Sequence, residues 1–268
     1  MDYNKSFLKT ISDNYKDIAN AFISNQSKDP LRNGTKVDNI HASIANNISQ
    51  WIDTEKFRVV TKKNDVNSKE YNFDGFYKPK KCDIAILGRN KFENHVFGII
   101  EFKNHLSSIA KNFGNNLNNM IGDSLNIKLN KTPFFYIECY PKVSPILTKE
   151  GKVTKNYEIT KNDNLFQKSL DLYKNVKIKS EKLNFDSLPD GFLIFVYETP
   201  WKFSEGSNYT NSLEKILKYK SDQFYIPENL ISKMNEQKEV FVNDYENFLK
   251  KINETVEAEY AKISNNDK

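Results

Sequence analysis

Glycine is scarce in this chain, 9 of 268 residues, and no Gly-x-x-x-x-Gly-Lys-Ser/Thr run occurs. That excludes a glycine loop whose backbone cradles phosphates. Histidine is scarcer, and His41, His95 and His105 do not stand at metal-ligand spacing. Cysteine is limited to Cys82 and Cys139, both in apolar runs, with no Cys-x-x-Cys pair. Their low number points to a reduced, intracellular setting, and a disulfide between them is left open. No Ser-His-Asp arrangement can be read. Long apolar runs are missing too: FLIFVY (192–197) falls far short of the roughly 20 residues of a membrane span. MDYNKSFLKTISDNYKDI (1–18) lacks the uninterrupted apolar segment of a signal peptide. The expectation is a soluble, cytoplasmic protein with no membrane association.

Hydrophobic residues make up 38% of the chain and charged residues 28%, a composition and length sufficient for one large domain with a real core. The net charge of +5 is a mild tilt toward polyanions and decides little alone. Phe7, Leu8, Ile11, Tyr15, Ile18, Ala19 and Phe22 predict an amphipathic helix over 3–25. A turn-rich break over 27–36, with Pro30 and Asn33-Gly34, leads to a second helix from about 38 to 52. Strands are predicted at KFRVVTKK, PFFYIECYP (133–141) and GFLIFVYET (191–199), with KEYNFDGFYKPKK a further strand leading to a turn and a surface hairpin over 147–159. Helices are predicted over 107–130 and about 164–174. From Asn229 the spacing of Phe241, Tyr245, Phe248, Ile252 and Val256 predicts one long helix or a helical hairpin. With no internal repeat or linker, the reading is one mixed α/β domain, its body over 1–228 and a helical C-terminal appendage of the same domain over 229–268.

The stretch KKCDIAILGRNKFENHVFGIIEFKNH (80–105) holds two strongly apolar runs that carry charge. Alternate strand residues share a face, so Glu101 and Lys103 project together, and Asp83 shares a face with Ala85 and Leu87. Both faces are apolar enough to predict a central strand pair covered on both sides. A hairpin folded symmetrically about Phe92 sets Asp83 opposite Glu101 and Lys81 opposite Lys103. Carboxylates so placed need a counter-charge, or one must hold a proton. A divalent cation such as Mg²⁺, which takes one or two protein carboxylates plus waters and substrate phosphate, is the economical choice. Lys103 could then stabilise a developing negative charge or orient a water. The plainer alternative is an edge hairpin whose Glu101 and Lys103 form a weak surface pair.

Asp83, seventeen residues, then Glu101-Phe102-Lys103 resembles the signature of the PD-(D/E)XK nucleases, a group that includes many restriction endonucleases. Two other Glu-x-Lys triplets, Glu150-Gly151-Lys152 and Glu236-Gln237-Lys238, sit in a polar turn and a polar helical stretch. Only Glu101–Lys103 ends an apolar strand preceded by another that bears an acid. The resemblance covers roughly residues 38–140. It implies a restriction-endonuclease-like mixed central sheet flanked by helices, with the nuclease core over about 38–200. It also implies Asp83 and Glu101 as ligands of Mg²⁺, for which Mn²⁺ can substitute, and Lys103 as the catalytic lysine. Cys82 stands where the named pattern has proline. The family often adds a further acid, for which the candidates are Asp74 and Asp38; Asp38 could equally cap the second helix, and Asp74 simply precede a glycine turn.

In the helix that follows the motif, Asn112, Asn115, Asn116, Asn119, Asp123 and Asn126 fall on one side. Asparagine is a poor helix former, and its amide can bond phosphates, sugars and base edges. Asn112, Asn116, Asn119 and Lys111 are therefore DNA-contact candidates, against compositional drift onto a solvent face. The basic and aromatic segment 197–220 adds Trp201 and Lys202, with Trp201 as a packing residue the alternative. By the resemblance the function is Mg²⁺-dependent cleavage of double-stranded DNA, most like a type II restriction enzyme acting as a homodimer beside a cognate DNA methyltransferase. A repair, recombination or phage-type nuclease, and a catalytically silent DNA-binding protein of the same fold, are the alternatives.

Overall fold

The computed structural model describes residues 2–24, 37–65, 67–107, 109–161, 165–182, 186–219, 223–227 and 239–266. Along these the chain forms α1 (Tyr3–Ile23), α2 (Asp38–Ser49), β1 (Phe57–Thr61), β2 (Tyr71–Asp74), β3 (Pro79–Cys82), β4 (Ile84–Gly88) and β5 (Val96–Asn104). There follow α3 (Ile109–Lys128), β6 (Phe134–Pro141), β7 (Val143–Leu147), β8 (Val153–Glu158), α4 (Leu165–Lys182), β9 (Gly191–Tyr197), α5 (Tyr209–Ile216), β10 (Val240–Val242) and α6 (Tyr245–Asn266). The predicted break over 27–36 falls wholly outside the described residues, as does Glu236-Gln237-Lys238.

Six strands make one mixed sheet in the order β1-β4-β5-β6-β9-β10. β1 runs antiparallel to β4 and β4 to β5, whereas β5, β6, β9 and β10 are mutually parallel. The central strands β4, β6 and β9 are buried at every residue, as unbroken apolar runs covered on both faces must be. One face is packed by α1, α2 and α6, whose Phe7, Ile11, Ile44, Ile48, Phe248 and Ile252 join Ile84, Ile86, Ile100, Phe135 and Ile137. The other carries α3 and α4 through Met120, Ile127, Leu170 and Tyr173, against Ala85, Leu87, Ile99, Tyr136 and Ile194. The architecture is a mixed α/β sheet flanked by helices, as expected.

One expectation is corrected. The stretch from Asn229 is not one long helix: Phe241 lies in β10, which pairs in parallel with β9, and helix begins only at Tyr245; residues 229–238 lie outside the described set. The three-residue strand hid behind side chains that also fit a helical period. The C-terminal helix α6 packs on the shared core through Phe248, Leu249, Ile252 and Val256. In KEYNFDGFYKPKK the expected strand is β2, and the turn after it leads back into β3, the pair forming a separate two-stranded sheet. Among the described residues no helix is long and apolar enough to cross a membrane. Both cysteines are free and buried, and burial pushes both thiols up.

Candidate active site

The apolar run around Asp83 is not one strand. Lys80 and Cys82 belong to β3, the chain bends at Asp83, and β4 starts at Ile84. The bend carries the chain from the small hairpin into the main sheet. Beyond it the β4–β5 ladder sets Ile84 opposite Ile100, Ala85 opposite Ile99 and Ile86 opposite Gly98, the register of a hairpin folded about Phe92. A bulge then pairs Leu87 with Val96, next to the tight 3₁₀ turn at Asn90–Phe92. Because the ladder stops at Ile84, Asp83 is not a strand partner of Glu101. Its Oδ2 instead accepts the N–H of Phe102 at 2.9 Å, which anchors the carboxylate beside the strand end. Lys81 does not face Lys103; it pairs with Asn72 across β2–β3 and is exposed.

Glu101 is 2% exposed, and its Oε1 has no hydrogen-bond partner among the described residues. Burial, with the charge of Asp83 next, pushes its carboxyl up to about 8, against the pull of Lys80 and Lys103. The nearest cation is Lys80, whose Nζ lies 3.2 Å from Glu101 Oε2 and 3.1 Å from Asp123 Oδ2 on α3. Burial lowers the Lys80 pKa, but the two carboxylates outweigh this and raise it, so its ammonium stays charged. Lys103 Nζ is farther off, 4.0 Å from the same Glu101 oxygen, with its side chain 42% exposed. On the opposite side, His41 Nε2 sits 3.8 Å from Asp83 Oδ2, buried and without a hydrogen-bond partner.

Asp83, Glu101 and Lys103 are thus brought together, and Lys80, Asp123 and His41 join them. Sequence reasoning missed these three as site members. Lys80 lies in a polar strand of a different sheet, and Asp123 was noticed only as one of a polar helical stripe. The proposed extra acids make other contacts. Asp38 opens α2 and pairs with Lys62 at 3.0 Å, while Val37 holds the cap position. Asp74 is exposed and opposite Pro79, with its backbone carbonyl accepting from Asn130.

The polar stripe of α3 grades from solvent to core. Asn112, Asn115 and Asn119 are exposed. Asn116 is half-buried, with its amide nitrogen 3.1 Å from His105 Nδ1; His105 stacks on Tyr140 and lies 3.4 Å from Glu138. Asn126 is fully buried, where its amide bonds the backbone of Tyr77 and Lys78. Lys111 belongs to α3, and its side chain is not among those described. Trp201 is no surface residue: it is buried among Tyr15, Tyr219 and Phe224, which accounts for it as packing. Lys202 is exposed.

Among the described residues no three His, Cys, Asp or Glu side chains gather as a metal-ligand set. The donors on offer are Asp83 and Glu101. They fit a hard divalent cation, since the unpartnered Glu101 oxygen is a buried acceptor with no donor, and Mg²⁺ often takes only one or two protein carboxylates. Lys80 partly fills the counter-charge role that the sequence assigned to a metal. No family model matches the chain, and no curated protein matches it. Among solved structures it aligns with the pre-specific restriction endonuclease BsaWI in complex with DNA, at 12% identity and a TM-score of 0.37, over 90% of this chain and 68% of that one. Likeness at that level fixes neither family nor activity.

Proposed function

We propose that the protein is a metal-dependent DNA endonuclease of the PD-(D/E)XK kind, most like a type II restriction enzyme. What carries the reading is a buried carboxylate, Glu101, with one oxygen unpartnered, set between Asp83 and the half-exposed ammonium of Lys103. Asp83 and Glu101 would hold Mg²⁺ or Mn²⁺, which would supply Lewis-acid chemistry at the scissile phosphate. The chain's own residues do the rest. The Phe102 N–H fixes Asp83, and Lys80 fixes Glu101, so neither carboxylate must reorganise. Lys103 extends toward solvent, where it can meet the negative charge that builds on the phosphoryl oxygens. Asp123 holds Lys80 from its far side.

Purified protein with Mg²⁺ and unmethylated plasmid DNA should cut at fixed positions, and sequencing the ends should return one recognition sequence. Asp83→Ala, Glu101→Ala and Lys103→Ala should each abolish cutting, with far-UV circular dichroism unchanged. End-dependent degradation would move the reading to a repair, recombination or phage-type nuclease. A restriction enzyme that cuts both strands should sediment as a homodimer and work beside a methyltransferase of the same specificity. One observation favours a second reading, a DNA-binding protein that does not cut: Lys80 already neutralises the buried carboxylates. Failure of the wild type to cut any DNA with either metal would establish that alternative.

A further inference from the structure

Phe76 and Tyr77 are 62% and 54% exposed at the tip of the β2–β3 hairpin. Single exposed aromatic residues are ordinary, but this tip is held on α3 by an unusual set of bonds. The Phe76 N–H donates to the Asn126 carbonyl at 2.8 Å. The buried Asn126 side chain accepts from Tyr77 N at 3.0 Å and Lys78 N at 3.3 Å, and donates to Lys78 O at 3.0 Å. The Tyr77 hydroxyl donates to Gly122 O, and Asn130 donates to Asp74 O. Gly75 fits because any Cβ there would lie 2.3 Å from Asn126 Nδ2 and 2.5 Å from Lys78 O. The chain therefore orders a loop whose aromatic rings are left facing water.

The same hairpin is tied to the candidate active site, because Lys80, four residues after Phe76, bridges Glu101 and Asp123. We infer that the tip is a nucleic-acid contact, in which Phe76 packs on DNA bases. This rests on the DNA substrate proposed above. The neighbouring groups suit DNA: Lys78 and Lys81 are exposed beside the rings, and Asn112, Asn115 and Asn119 present amides along α3. Ammonium groups meet phosphates, amides meet sugar and base edges, and a flat ring stacks on or wedges between bases. A protein partner fits less well, because lysine is depleted at protein interfaces.

The test is DNA binding without cutting, by fluorescence anisotropy of a labelled duplex with Ca²⁺ replacing Mg²⁺. Phe76→Ala should weaken binding roughly ten-fold or more, with an unchanged slope of log affinity against log salt, since no charge is lost. Lys78→Ala should lower that slope by about one. An unchanged melting temperature for Phe76→Ala would show that the fold is kept. If Phe76→Ala binds DNA like the wild type, the inference is overturned. It is equally overturned if the substitution instead splits a dimer in sedimentation, which makes the tip's partner a second copy. DNA binding that depends on Phe76, in a protein that never cuts, would sink the nuclease reading and leave this one standing. Cutting that survives Phe76→Ala with affinity intact would do the reverse.

Discussion

Glu101 carries the main electrostatic tension of the molecule. It is buried beside Asp83, yet Lys80 places an ammonium on one of its oxygens. Its folded pKa, pushed up to about 8, lies above an unfolded value of about 4.3. Between those two values the folded state holds the extra proton, so this group's contribution to stability is full below the lower value and is lost as pH rises toward 8. Without divalent metal the protein should therefore be less stable at pH 8 than at pH 6, by on the order of a few kcal/mol, and melt at a lower temperature. Glu101→Gln should flatten that dependence; calorimetry at several pH values reads both. Lys80→Met probes the counter-charge. It leaves Glu101 and Asp123 without their cation, and removing one partner of a buried ion pair costs about 3–5 kcal/mol. The loss should be largest at pH 8, where Glu101 would otherwise be charged. Added Mg²⁺ should raise the melting temperature of Lys80→Met more than that of the wild type, because the metal then replaces the missing charge. Equal Mg²⁺ shifts in the two proteins would count against a cation site at Glu101.

At the scale of elements, the β2–β3 hairpin and α3 work as one unit. Asn126→Ala removes three side-chain hydrogen bonds and leaves two backbone N–H groups without their acceptor, so a loss of about 2–4 kcal/mol is expected. Lys80 should then lose its register over Glu101, and DNA cutting should fall further than the melting temperature alone predicts; a parallel Asn119→Ala, on the exposed face, should leave stability unchanged. This pairing also shows what the sequence could reveal. The β4–β5 register was legible because a symmetric hairpin sets it locally, and it holds from Ile84 to Ile86. The stripe on α3 was legible as a stripe, from helical spacing. Its division into exposed Asn119, ion-paired Asp123 and buried Asn126 was not, since that depends on a hairpin forty-odd residues upstream folding over the helix. Lys80 escaped for the same reason. It reaches Glu101 from another sheet, and no periodicity in β3 marks that contact.

Across the whole molecule, both ends of the described chain converge on one face of the sheet. The stacked rings of Phe7 and Tyr245, 4.3 Å between centroids, join α1 to the start of α6. Asn4 closes the junction, donating to the Asn243 carbonyl and accepting the Tyr245 N–H. The Asn243 side chain in turn accepts from Val196 N on β9. The apolar spacing of 245–256 was readable as a helix, but whether the stripe met this domain or a partner was not, because the sheet face that receives it comes from β5, β6 and β9. Phe248, Leu249, Ile252 and Val256 are each at most 1% exposed. Burying side chains of this kind contributes about 1.5–3 kcal/mol apiece, so the four together rival the roughly 5–15 kcal/mol by which a whole domain is stable. A chain ending at residue 244 should therefore fail to fold cooperatively, showing no thermal transition and lost near-ultraviolet circular dichroism. An appendage that merely joins two protomers would behave differently, since its removal would yield a folded monomer. Val256→Ala separates the two cases at lower cost to the fold: packed against Gly98 of β5, it should lower the melting temperature equally at high and low protein concentration, whereas an interface residue would make the effect depend on concentration.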